Sequence, residues 1–313
     1  MPMLIRPMLE LYDLLDSPTA CGAAVADYLR RLHGDMTVET AAVGQPGRTT
    51  DFVRITLPGT RGALSGGDAP TLGIVGRLGG IGARPAVTGF VSDGDGALAA
   101  LTAAAKLADM AAKGDRLCGD VRIATHVCPH APVVPHDPVP FMDSPVDMAT
   151  MNREEIFAPV DALLTIDTTR GNRVINHRGI AISNTVKSGY ILRVSDDLIS
   201  LVETVTGELA HVFPLATQDI TPYGNGLTHL NSILQPATAT DAPVVGVALT
   251  AQTAVAGCAT GATQAADVEC AARFSVEVAK AFASGKCRFY DPAEYERLVR
   301  LYGSMAHLQG PGR

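Results

Sequence analysis

The sequence predicts an α/β protein with a mixed, mostly parallel central sheet, and three observations carry that expectation. Apolar runs of strand length at 72–75, 121–127, 163–166 and 244–249 are bounded by Gly, Pro or Asp. Helical segments, Ala-rich at 97–112 and amphipathic at 267–283, lie between them. A strand at 87–91, the helix at 97–112 and the strand at 121–127 together form a βαβ unit, which requires its two strands to pair in parallel.

From the start of the chain, residues 9–15 repeat apolar side chains at helical spacing. Ser17-Pro18-Thr19 then offers cap chemistry before a second helix at 21–32, where Val25, Leu29 and Leu32 share a face. Alternation at 37–43 and 52–57 reads as two half-buried strands separated by the turn Gly44-Gln45-Pro46-Gly47. Residues 61–70 form a Gly-rich loop. The strand at 72–75 runs into Gly79-Gly80-Ile81-Gly82, and the strand at 87–91 ends at Ser92-Asp93-Gly94-Asp95-Gly96. Seven prolines from Pro129 to Pro159 remove backbone donors, so an irregular surface excursion is expected there. Residues 173–194 alternate between turns as hairpin or edge strands. Asp196-Asp197 opens a helix to Thr206, with both carboxylates at its positive end. Residues 291–302 form the last helix, before a Gly/Pro tail expected to fray. With neither repeat nor low-complexity linker, the chain reads as one domain over 1–313, with the Pro-rich excursion at 129–160.

Composition narrows the functional classes. Hydrophobic residues make up 47% and charged residues 18%, which excludes a disordered chain or a coiled coil. Lys and Arg number 25 against 32 Asp and Glu, a net charge of −7 that argues against nucleic acid or an anionic membrane as partner. Aromatics are 5% with no Trp, a poor endowment for stacking on bases. No run approaches the roughly 18 apolar residues of a membrane span. The opening residues, with Arg6 and then acids in an amphipathic run, lack a leader's apolar core, so a cytoplasmic protein is expected. Cys21, Cys118, Cys128, Cys258, Cys270 and Cys287 are scattered without CxxC spacing, which fits reduced, packed thiols.

In open α/β sheets, ligands collect beyond the carboxyl ends of the strands. Three polar clusters fall at such ends: Asp93 and Asp95, His126 to His130, and Asp167. If those strands are neighbours, carboxylates and imidazoles converge into a set that divalent metals favour, and Asp93, Asp95, His126 and Asp167 are the candidate ligands. Asp93-Gly94-Asp95-Gly96 equally suits a turn and helix cap. Thr125-His126-Val127-Cys128-Pro129-His130, followed by His136-Asp137, is the densest histidine region. His130 is a candidate acid–base, and Cys128 a nucleophile with His126 or His130 as its base. His229, in the Gly-rich approach Tyr223 to His229 toward a helix, is a third catalytic candidate. Asn225 beside it, and Thr260 in the small-residue loop Gly257 to Thr263, are candidates for binding substrate. Gly73 to Gly82 has the wrong spacing for a dinucleotide loop.

The opening helices around Leu14-Leu15-Asp16-Ser17-Pro18-Thr19-Ala20-Cys21-Gly22 are similar to those of two-zinc metallo-aminopeptidases related to glutamyl aminopeptidase. The strand-helix-strand around Asp95, the strand ending at Asp167 and the helix from Asp267 fit as well. This resemblance implies a three-layer α/β/α sandwich of zinc-exopeptidase type, with Asp93 or Asp95 as the bridging ligand and Asp167 as a further one. It also marks departures. The family's His-x-Asp pair is matched by Arg77-Leu78-Gly79, its Glu-Glu pair by Cys128-Pro129, and its last His by a loop without histidine. Closer still, the stretches SDGDGA, THVCPHAPVVPHDPVPF, TQDITPYGNGLTH, LQPATATDAPVVGV and GCATGA resemble the bacterial domain-of-unknown-function family 1177, which implies no settled reaction.

Two functions follow. One is a hydrolase-like enzyme on a small amide, peptide or amino-acid derivative, with zinc or manganese as the possible metal. The alternative is a non-catalytic binding or regulatory protein of degenerate peptidase fold, in which Arg77 holds a small carboxylate bidentately. The expected partner is a small molecule, with neither nucleic acid nor membrane, and a homo-oligomer is plausible from the apolar composition.

Overall fold

The computed structural model describes residues 4–32, 35–77, 89–129, 131–135, 141–169, 171–255 and 262–310. Two helices open the chain, α1 (Ile5–Leu15) and α2 (Gly22–Arg30). The α2 cap comes from across the fold: Gly22 N donates to Asp51 Oδ2 (2.8 Å), while the Ser17 and Thr19 hydroxyls bond each other. A hairpin follows, β1 (Thr37–Gln45) and β2 (Arg48–Leu57), then β3 (Leu72–Gly76), α3 (Asp95–Ala112) and β4 (Val121–Val127).

The βαβ crossover is real, but its first strand is β3. Residues 87 and 88 lie outside the described residues, and 89–91 join no described strand of the sheet. Phe90 N instead donates to Asp16 Oδ1 (2.7 Å), and the ring packs on Tyr12. Gly76 lets the crossover close: a Cβ there would lie 2.5 Å from Gly96 O and 2.8 Å from Ala97 Cα, where α3 crosses β3.

The Pro-rich stretch holds a small two-stranded pair, β5 (Val133–Val134) and β6 (Phe141–Met142), and a helix the sequence reading did not anticipate, α4 (Met148–Glu155). It is not merely a surface excursion, because α4 buries Met151, Asn152 and Glu155. Next come β7 (Ala162–Thr169), β8 (Gly179–Ser183), the hairpin β9 (Val186–Lys187) and β10 (Tyr190–Ile191), α5 (Asp196–Thr206) and β11 (Val212–Phe213). The chain closes with β12 (Val244–Thr250), α6 (Ala265–Ala283) and α7 (Pro292–Tyr302). The segment after His229 forms a 3₁₀ turn, Gln235–Thr238, and not the expected helix. The tail docks before it ends: Gln309 is buried, its Nε2 donating to the carbonyls of Ala237 and Thr240.

Strand order is β1-β2-β4-β3-β7-β12-β8-β11, and the central four, β4-β3-β7-β12, run parallel. Alternation assigns each strand two faces. Val53, Ile55, Ile74, Ile123, Leu164, Ile166, Val245 and Val247 join the large core under α1, α2, α3, α5 and α6. Val75, Ala124, Leu163, Ala181 and Ala248 face the other way, into a smaller core closed by Ile220, Ile233, Leu234 and Ala237. The first outer layer is five helices. The second is α4 with 3₁₀ turns and loops, thinner than a full sandwich layer. Among the described residues no helix is long and apolar enough to cross a membrane.

Candidate active site

The second face carries an unusual lateral row at its carboxyl edge. Register pairs Val75 with Ala124 and Gly76 with Ile166, so two residues past the first pair and one past the second, Arg77 falls level with His126 and Asp167. Phe52 on β2 is level with His126, and Ala248 on β12 with Asp167. All of these side chains share one face by the period of two. Arg77, His126 and Asp167 are buried. Phe52 packs its ring against the imidazole at 5.4 Å.

Helix α4 lays its last turn over this row. Asp147 caps it, accepting from Thr150 N (2.7 Å), and Arg54 on β2 grips its far end at Glu154. Glu155 thereby reaches both neighbours: Arg77 Nη1 donates to its Oε2 (2.6 Å), and His126 Nδ1 stands 3.3 Å from its Oε1. Arg77 Nη1 also donates to Asn152 Oδ1 (2.8 Å), and Asn152 Nδ2 ties this pair to Gln235 O (3.0 Å) and Thr238 Oγ1 (3.2 Å). Arg77 and Glu155 are both 0% exposed, so neither can lose the other without stranding a charge. A carboxylate at Nδ1 favours the tautomer with its proton there, which turns Nε2 outward as the acceptor.

Asp167 closes the other end. Its Oδ2 accepts from Ser232 Oγ (2.8 Å) and its Oδ1 from Thr168 N (2.7 Å). Burial pushes its carboxyl up to about 6, against the opposing pull of Arg77 and these hydrogen bonds, with Glu155 adding like charge. Tyr223 reaches toward the same group, its phenol raised first by burial and next by the Asp167 charge. A cleft of about 480 Å³ opens beside the row, walled by Met148, Asn152, Ile156, Tyr223, Gln235 and Gln309.

The structure thus joins three of the residues expected to function, Arg77, His126 and Asp167, in one row. Asp93 lies in the 3₁₀ turn Ser92–Gly94, and Asp95 starts α3, the helix of the opposite layer. The Asp95 carboxylate accepts from Thr263 Oγ1 (2.8 Å). Cys128 packs with Val91, Ala131 and Met142, its Sγ 3.8 Å from Thr49 O. His229 and Asn225 shape their own loop. The His229 ring nitrogens face Leu227 O (3.1 Å) and Thr221 O (3.0 Å), and Asn225 bonds Thr221 Oγ1 (2.8 Å) and Leu227 N (2.9 Å). His130 and Thr260 lie outside the described residues. Sequence reasoning missed Glu155, Asn152, Ser232 and Tyr223. The cap-bearing run Asp147-Met148-Ala149-Thr150-Met151-Asn152-Arg153-Glu154-Glu155 was the signal for the first two.

The expected metal set does not assemble: among the described residues no group of three or more His, Cys, Asp or Glu can hold an ion. The physical reason is the row's order. The Arg77 guanidinium stands between His126 and Asp167, a fixed cation among donors that a second cation would have to share. As for thiols, burial raises Cys270 to about 11 and Cys287 to about 12, and Cys21, Cys118, Cys270 and Cys287 are free.

A family model described as a protein of unknown function, DUF1177, matches residues 41–312. No curated protein matches the chain. Among solved structures, the bottromycin maturation enzyme BotP is similar over 88% of this chain and 68% of its own, with a TM-score of 0.51 and 19% identity. The same enzyme in complex with Mn is similar over 87% and 69%, with a TM-score of 0.50 and 17% identity. At such identity these likenesses show the fold alone.

Proposed function

The chain belongs to this family of unknown function, and from that premise we propose that it is a hydrolase-like enzyme acting on a small amide, peptide or amino-acid derivative. The observation that carries the reading is the buried row itself. Burying His126, Arg77, Glu155 and Asp167 together costs stability that a purely structural core would avoid with apolar side chains. A fold shared with a maturation enzyme supports the same reading.

Each residue has a role that its geometry allows. Glu155 orients His126, whose Nε2 takes a proton from water as the water oxygen adds to the substrate carbonyl carbon. Asp167, holding its proton up to about 6, delivers it to the leaving nitrogen as the carbon–nitrogen bond breaks. Their strands are two inter-strand spacings apart, about 10 Å, with Arg77 on the strand between them, so the substrate carbonyl has to enter from the side of the cleft. Arg77 is a positioning residue for Glu155. No step is routed through a metal, because the described donors do not fit one. Incubation with a panel of dipeptides and N-acyl amino acids tests the reading through release of free amine. Turnover is expected from the native protein and a loss of at least 100-fold in His126→Gln. A folded protein that releases amine from none of the panel would sink it.

The second reading, a binding protein, draws on the closure of the row beneath α4, where Arg77 and Glu155 expose nothing. Ligand-induced stabilisation without any turnover favours it.

A further inference from the structure

The Arg77 guanidinium is half used. Its Nη1 is saturated by Glu155 and Asn152, but among the described residues Nη2 meets only the thioether Sδ of Met148 (2.7 Å) and the buried Nε has no partner. Nε and Nη2 form one of the two guanidinium edges that present two parallel N–H bonds, the fork that matches a carboxylate, and it is the edge that Glu155 and Asn152 leave open. A thioether is a weak acceptor, so this edge is the most under-satisfied donor pair in the row.

The fork also lies at a way in. Met148 and Asn152, which contact Nη2 and Nη1, are two walls of the cleft of about 480 Å³. Met148 is half-buried, unbranched and free to change rotamer, so its displacement connects cleft and fork. The rest of the lining includes Ala149, Ile156 and Pro222, an apolar surround for an aliphatic body.

We propose that the working site recognises its substrate through a carboxylate, which the Nε–Nη2 edge of Arg77 takes bidentately once the Met148 side chain has moved aside. This rests on the reading of the row as the catalytic site, and it narrows the substrate to an amide that also bears a free acid.

Calorimetric titration of the full chain with isovalerate and isovaleramide, which differ only in the head group, tests the proposal. Isovalerate is expected to bind at least tenfold more tightly than the amide. Arg77→Lys, which keeps the charge and loses the fork, is expected to weaken isovalerate at least tenfold. Met148→Ala removes the competing thioether from a half-buried position in the first turn of α4, and is expected to tighten isovalerate by two- to fivefold even if Arg77→Lys does not fold. Equal binding of acid and amide, as when water alone satisfies Nε, overturns the proposal. So does isovalerate affinity unchanged in Met148→Ala or in a folded Arg77→Lys. His126→Gln separates this site from the chemistry: isovalerate binding retained in that variant sustains the carboxylate site even if the hydrolase reading fails, and binding lost there overturns it.

Discussion

Asp167 holds its proton into the mildly acid range because its carboxyl is buried, and that has a signed consequence for stability. The folded group titrates near 6 and the unfolded one near 3.8, so the stabilisation present below 3.8 is lost as pH rises through 6. The difference between 3.8 and about 6 corresponds to up to about 3 kcal/mol. Asp167→Asn, which cannot ionise, is therefore expected to raise unfolding free energy by up to about 3 kcal/mol at pH 7.5, with the gain vanishing near pH 4, while abolishing turnover. Urea unfolding at the two pH values checks it. The Arg77–Glu155 pair behaves differently. Removing one partner leaves a buried charge, so Glu155→Gln is expected to cost about 3–5 kcal/mol, whereas the double change Arg77→Met with Glu155→Met costs less than either single change. A double-mutant cycle reads this directly.

Among the elements, α4 decides whether the site exists. The run of prolines hid it, because prolines argue against strands and helices alike, yet Met148–Glu155 contains none, and Asp147 supplies its cap. Asp147→Ala is expected to cost about 1 kcal/mol and, because Glu155 is the last residue of that helix, to lower turnover more than global stability. Faster amide exchange confined to α4 is the accompanying measurement. Strands were easier to read, since 72–75, 121–127, 163–166 and 244–249 each sit within an observed strand. Of the strand expected at 87–91, residues 87 and 88 lie outside the described residues, and 89–91 belong to no described strand. Phe90 and Val91 are core residues of a connection, with Phe90 tied to Asp16.

At the scale of the whole molecule, Arg77 gives the row a built-in positive charge, and the proposed reading routes no step through a bound ion. Exhaustive treatment with a chelator, followed by zinc or manganese, is expected to change turnover less than twofold. A loss of more than tenfold, restored by metal, would refute the arrangement.

The sequence by itself determined the α/β class and most of the helices and strands, because apolar periodicity and turn chemistry are local and each element declares its own buried side. It also identified Arg77, His126 and Asp167 as polar groups where strands end. Only the tertiary structure decided their order across the sheet, with the guanidinium in the middle, and delivered Glu155 from a helix 75 or more residues away from Arg77. Lateral strand order and the descent of α4 are long-range facts, set by which faces bury together, and no local pattern in a single chain encodes them.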